Sequence, residues 1–221
     1  ITEIDGFDNL HEPEGILKDA QLFAAELYHS EETAFIVNGS TGGLLAAIAG
    51  ICRDGGEILA ARNCHKAVYH AIELHHLKPY YIYPPINTKY GINEGIYPQD
   101  VEKMWITHQN IQAIVITSPT YDGVVSDIEA ICEIAHRHRV PVIVDEAHGA
   151  HFCFSDYFPK SAVACGADVV IQSTHKTLPA MTQTALIHLN GNLIDRERIR
   201  RMLTIYQTSS PSYILMGSID G

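Results

Sequence analysis

Short runs of apolar, often β-branched residues alternate along the chain with longer stretches in which apolar positions recur every three or four residues. The short runs predict strands at residues 34–38, 58–61, 80–83, 113–117, 142–145, 169–172 and 184–189. The longer stretches predict helices at 14–29, 43–52, 66–75, 98–108, 127–139 and 195–208. Ala113-Ile114-Val115-Ile116 and Val142-Ile143-Val144 are apolar at every position, as in strands covered on both faces. Parallel strands need crossover connections, usually helical. The pattern therefore predicts an α/β fold, a three-layer sandwich with a mostly parallel sheet of about seven strands between helices. Residues 84–97 break the rhythm with Pro84, Pro85, Gly91 and Gly95 and read as a long surface loop. No repeat and no linker divides the chain.

Composition changes this picture little: 46% apolar and 19% charged residues in a chain of 221 suit one folded unit with a sizeable core. The first residue is Ile1, and the last stretch, residues 215–221, stays apolar with no helix stop. Both ends read as cuts within a longer chain. Fifteen Lys and Arg against 26 Asp and Glu leave a net charge of −11. With no basic cluster, nucleic acid is not an expected partner. The longest apolar run, residues 42–52, is too short to span a bilayer, so no membrane partner is expected either. Cys52, Cys64, Cys132, Cys153 and Cys165 are odd in number and scattered, which reads as reduced thiols in a cytoplasmic protein.

Ligands of such sheets bind beyond the carboxyl ends of the strands, and four of these ends carry chemistry. Asn38-Gly39-Ser40-Thr41-Gly42-Gly43 follows a strand and leads into a helix. Glycines, hydroxyls and helical N–H groups there suit an anion, although a capped turn of no further function would look the same. Val144-Asp145-Glu146-Ala147-His148 ends a buried strand in a carboxylate. Asp145 there needs a partner: a cationic cofactor nitrogen, a catalytic histidine, or a metal held by Asp145, His148 and His151. Ala147 leaves room for a flat ligand. Ser173-Thr174-His175-Lys176 ends another strand. Ser173 and His175 are suited to a phosphate, and Lys176, beside apolar neighbours, to attack on an aldehyde carbon as a Schiff-base lysine. Past a fourth strand, the imidazole of His65 is suited to stacking on a flat ring. A phosphate turn, a stacking ring, a buried acid and a lysine, in this order, together suit pyridoxal 5'-phosphate.

The wording of Asn38-Gly39-Ser40-Thr41-Gly42, Arg62-Asn63-Cys64-His65-Lys66, Ser118-Pro119-Thr120-Tyr121-Asp122-Gly123, Asp145-Glu146-Ala147-His148-Gly149 and Ser173-Thr174-His175-Lys176 resembles the fold-type-I pyridoxal-phosphate enzymes. Among them it is most similar to the ornithine/lysine/arginine decarboxylases. The resemblance implies an aspartate-aminotransferase-like large domain over residues 1–221, with an N-terminal segment and a C-terminal domain lying outside it. It assigns Lys176 to the covalent link with the cofactor and Asp145 to the pyridinium nitrogen. His65 and Ala147 flank the ring, with Ser40, Thr41, Gly42, Ser173 and His175 around the phosphate. His148 sits beside the link, where it or Lys176 returns a proton to the substrate. No metal is implied. The implied activity is decarboxylation of arginine, lysine or ornithine in a homodimer or higher homo-oligomer. Transamination, aldol cleavage and a noncatalytic cofactor-binding piece are the competing readings.

Overall fold

A computed structural model describes Ile4 and residues 6–221. In chain order the helices are α1 (Ile16–Tyr28), α2 (Gly39–Ile51), α3 (Lys66–Leu74), α4 (Pro98–Thr107), α5 (Ile128–Arg137), α6 (Thr174–Thr177), α7 (Arg196–Tyr206) and α8 (Tyr213–Asp220). The strands are β1 (Glu32–Ile36), β2 (Glu57–Ala61), β3 (Lys78–Ile82), β4 (Ile86–Asn87), β5 (Ile92–Asn93), β6 (Ile111–Thr117), β7 (Val142–Asp145), β8 (Val169–Gln172) and β9 (Ala185–Leu189). Seven strands form one sheet in the order β1-β9-β8-β7-β6-β2-β3. Its pairs from β8 to β3 are parallel, while β9 runs against both β8 and β1. The mostly parallel seven-stranded expectation holds.

Alternate residues of the central strands enter opposite cores, which is why these strands are apolar throughout. Val115, Ile143 and Ile171 face a core built with α2, α3 and α7. Ile114, Ile116, Val144 and Val170 face one built with α4 and α5. A third cluster joins Leu17 and Tyr28 of α1 to Phe35 of β1 and Met216 of α8. Among the described residues, no helix is long and apolar enough to cross a membrane.

Most element ends fall close to expectation, but α2 starts at Gly39, four residues before the expected residue 43. Gly39 has a φ of 69°, a left-handed conformation that glycine adopts without strain. The chain turns there and begins the helix at once. Ser40, Thr41 and Gly42 are therefore first-turn residues and not a loop ahead of the helix. The expected loop 84–97 contains the short antiparallel pair β4–β5, which turns through Gly91. Neither α6, a single turn, nor α8, apolar without a polar face, carries a helical period that a sequence reading detects.

α2 and α7 pack so closely that a Cβ at Gly50 would lie 2.6 Å from Ile199 Cγ1 and 2.9 Å from its Cα. Relief requires backbone movement, so Gly50→Ala is expected to lower the unfolding free energy by about 1–3 kcal/mol. Gly217, inside α8, has nothing within 4 Å of its Cβ position. Gly217→Ala should instead be neutral or stabilising, by up to about 1 kcal/mol. Urea denaturation of the two variants checks the contrast, and equal losses would contradict it.

Candidate functional site

The carboxyl ends of β6, β7 and β8 meet the first turns of α2 and α3 around a cavity of about 610 Å³. Its lining includes Ser40, Thr41, His65, Asp145, Ala147, His148, Ser173, His175 and Lys176. The strand ends thus bring together residues more than a hundred positions apart. Gly42 is the exception. It is buried outside the lining, where a Cβ would crowd Asn38 at 3.3 Å and leave only 3.6 Å to the Tyr206 carbonyl oxygen.

Asp145, the last residue of β7, is 3% exposed. Its Oδ1 accepts one hydrogen bond, from the Ala147 N–H at 3.3 Å. Burial pushes the carboxyl up to about 6, against the opposing pull of that N–H and of the Lys176 charge. Two further buried acceptors in the lining, Thr117 Oγ1 and Asn63 Oδ1, have no hydrogen-bond partner. Buried polar atoms are normally satisfied, so this wall of the cavity suits a polar, cation-bearing ligand.

The opposite requirement rules the other wall. No side chain caps the first turn of α2, which leaves N–H groups and the positive end of the helix dipole for an anion. Ser40 Oγ lies 2.6 Å from Ser173 Oγ, so two hydroxyls from distant segments are joined there. His175 Nδ1–H donates to the Thr184 carbonyl at 2.8 Å, which fixes the ring and leaves Nε2 for a ligand.

Lys176, expected beside apolar neighbours, is exposed at the cavity. Its Nζ lies 3.1 Å from His148 Nε2. Desolvation first, then the charges of Lys176 and His175, lower the pKa of His148, which favours a neutral ring able to accept a hydrogen bond from the lysine amine. Tyr121 packs edge-on to that ring, with centroids 5.7 Å apart. His65 is the N-cap of α3, its Nδ1 accepting from the Ala67 N–H at 3.2 Å. Desolvation and then Lys176 lower its pKa too. The alternative metal set of Asp145, His148 and His151 does not converge: among the described residues, no three His, Cys, Asp or Glu side chains form a metal-binding group.

Thr117, Tyr121, Asn63, Thr182 and Gln183 also line the cavity and were not among the expected site residues. Thr117 closes β6 opposite Asp145 in the register, so the strand-end rule points to it. Gln183 has no such signal. It holds a φ of 79°, and its carbonyl accepts from the Gly39 N–H at 2.8 Å, bracing the start of α2.

The description "Orn/Lys/Arg decarboxylase, major domain" belongs to a family model that matches residues 1–221. The chain is 43% identical over 221 residues to the "Uncharacterized protein YaaO" of Bacillus subtilis (strain 168), covering 100% of this chain and 46% of that one. It is 36% identical over 220 residues to the arginine decarboxylase of the same organism, covering 100% and 45%. The chain thus spans less than half the length of these curated relatives. Among solved structures, the lysine decarboxylase LdcF of Francisella novicida has a TM-score of 0.83 at 26% identity, over 96% of this chain and 31% of that one. Lysine decarboxylase A from Pseudomonas aeruginosa has a TM-score of 0.89 at 23% identity, over 99% and 32%, and shows the shared fold.

Because folding raises the Asp145 pKa from 3.8 to about 6, it favours the protonated carboxyl. The associated stability is present below pH 3.8 and is lost as pH rises through about 6. Asp145→Asn removes that loss. At pH 8 it should raise the stability of the ligand-free protein by up to about 3 kcal/mol, with the gain vanishing near pH 4. Thermal denaturation across this range checks it, and a variant no more stable than the parent at pH 8 would contradict it.

Proposed function

The chain belongs to the Orn/Lys/Arg decarboxylase family, and from that membership we propose that residues 1–221 form the cofactor-binding large domain of a pyridoxal 5'-phosphate-dependent enzyme. Its proposed reaction converts a basic amino acid (arginine, lysine or ornithine) to the amine and CO₂. The observation that carries this reading is the buried Asp145 carboxylate, short of partners, in the same cavity as the Lys176 amine.

The residues present fit the cofactor. Asp145 suits a protonated ring nitrogen, since a cation there relieves the cost of an ionised carboxylate shut away from water. Thr117 and Asn63 offer unpaired buried acceptors beside it. The first turn of α2, with Ser40, Thr41, Ser173 and His175, suits the phosphate. His65 and Ala147 would flank the ring. Bound pyridoxal phosphate supplies an electron sink for the carbanion left when CO₂ departs.

The chain's own groups do the rest. Lys176 provides the primary amine that would hold the cofactor covalently, and its exposure leaves it reachable by an incoming amino acid. His148, 3.1 Å from the Lys176 Nζ, would hold and orient that amine by a hydrogen bond. One of the two would return a proton to the substrate's α-carbon. Asp145, kept ionised by its cationic partner, would hold the proton on the ring nitrogen throughout. A homodimeric or higher homo-oligomeric state and a cytoplasmic location belong to the same proposal. Five unpaired cysteines support the location.

The test is reconstitution with pyridoxal phosphate followed by borohydride reduction and peptide mass mapping. The pyridoxyl group should be found on Lys176 and be lost in Lys176→Ala; attachment at another lysine, or undiminished attachment in the variant, would contradict the assignment. Arginine, lysine and ornithine are then offered to the full-length reconstituted protein. Release of CO₂ with the matching amine is expected, whereas a keto acid would identify a transaminase. Labelling without CO₂ release would mean cofactor binding without turnover.

A further inference from the structure

Directly behind the candidate site, the residue after Asp145 begins a second polar system that the proposed chemistry does not use. Glu146 is 2% exposed, and Gln172 and His188 are 0% exposed. Glu146 Oε1 accepts from the Ala162 N–H at 2.7 Å, and its Oε2 lies 2.6 Å from Gln172 Nε2. Gln172 Oε1 lies 3.0 Å from His188 Nε2. On the far side of that ring, His188 Nδ1 lies 2.8 Å from Thr33 Oγ1, which lies 2.6 Å from Ser30 Oγ. Ser30 Oγ reaches the Glu32 carbonyl at 3.3 Å. The line crosses the sheet through β8, β9 and β1 and ends at the half-buried Ser30. Gly149 keeps space for its inner end, because a Cβ there would sit 2.6 Å from Glu146 Cγ.

The four side-chain links between Glu146 and Ser30 can each be made in either direction. With Glu146 ionised, Ser30 donates to Thr33, Thr33 to His188 Nδ1, His188 Nε2–H to Gln172 Oε1, and Gln172 Nε2–H to the carboxylate. With Glu146 protonated, the Gln172 carboxamide turns over, exchanging two groups of nearly equal size. Glu146 then donates to Gln172 Oε1, Gln172 Nε2–H to His188 Nε2, His188 Nδ1–H to Thr33, Thr33 to Ser30, and Ser30 to the Glu32 carbonyl. Both arrangements give each buried group a partner, which is what burial demands.

We propose that Glu146, Gln172, His188, Thr33 and Ser30 form a two-state relay, in which one proton gained or lost at Glu146 reverses every hydrogen bond in the line and exchanges the neutral tautomer of His188. The groups facing it leave the proton to Glu146. Tyr28 of α1 packs on the His188 ring with centroids 4.8 Å apart, and burial pushes its hydroxyl far up. Cys153 and Cys165 feel the Glu146 charge, and burial raises both thiols. Asp127, Glu129 and Lys160 share a small cavity with Glu146, but Lys160 is paired to Glu129 at 3.1 Å. With no cation bonded to it, the Glu146 carboxyl is pushed by burial up to about 8. Burial lowers His188 to about 3, so its ring stays neutral. Glu146 and Gln172 immediately precede the lining residues Ala147 and Ser173. The relay is therefore a pH-dependent hydrogen-bond pattern one residue away from two of the strand ends that line the cavity, whatever occupies it.

Nitrogen-15 NMR of histidine-labelled protein between about pH 5.5 and 9.5 reads the tautomer directly, with His188 identified by its contact to the Tyr28 ring. The Nδ1–H form is expected at the low end and the Nε2–H form at the high end, with a midpoint near 8. In Glu146→Gln the new carboxamide keeps its oxygen on the Ala162 N–H and donates to Gln172, so His188 should remain Nδ1–H throughout. A single tautomer across the range in the unmodified protein, or unchanged switching in Glu146→Gln, would overturn the relay. Should the variant fail to fold, the titration of the unmodified protein decides alone.

Discussion

A carboxylate closed off from water, with one backbone N–H at 3.3 Å to answer it, is the constraint around which this structure is arranged. Asp145 is tolerable in two ways: as the neutral acid, or as the anion beside a cation that enters the cavity. The sheet makes that position possible. Parallel pairing delivers Thr117, Asp145 and Gln172 to the same edge, and the loops that follow carry the groups a ligand would meet. The antiparallel strand β9 completes the edge with its beginning instead of its end. That reversal puts the Thr184 carbonyl against His175 and the Gln183 carbonyl against Gly39.

The electrostatics of the two walls differ for structural reasons. One wall is a strand end shut off from solvent, where a negative group gains from a cationic guest. The other is a helix start with no side-chain cap, where N–H groups gain from an anion. Between them sit a lysine and two imidazoles, of His65 and His148, whose pKa values desolvation and the lysine charge both lower. A flat molecule with a cationic ring and an anionic tail matches both walls at once. Fold alone does not select among the reactions such a cofactor serves, so the choice of decarboxylation rests on family membership.

Much of this was legible in the sequence because two-sided burial writes itself as unbroken apolar runs. The polar residues at or just past the ends of those runs, Asp145 and Ser173 among them, mark the edge that lines the cavity. What escaped was local geometry. The early start of α2 depends on a left-handed Gly39 braced by Gln183, a contact between segments far apart in sequence. Gly42 carries the expected motif but is buried outside the cavity lining, where a Cβ would crowd Asn38. Thr182 and Gln183 lie on an irregular segment with no period to read. Lys176 stands at the right strand end, yet in an exposed setting that neighbouring apolar letters did not foretell. The chain from Glu146 to Ser30 starts just past β7, runs through the three strands β8, β9 and β1, and becomes visible only when they are side by side.

The proton that Asp145 is proposed to hold on the cofactor ring can be observed directly. Pyridoxal phosphate labelled with nitrogen-15 in its ring is bound to the protein, and the ring-nitrogen chemical shift is recorded at pH 8 in the parent and in Asp145→Ala. A protonated ring nitrogen is expected in the parent and an unprotonated one in the variant. An unprotonated nitrogen in the parent, or a protonated one that survives loss of the carboxylate, would contradict it.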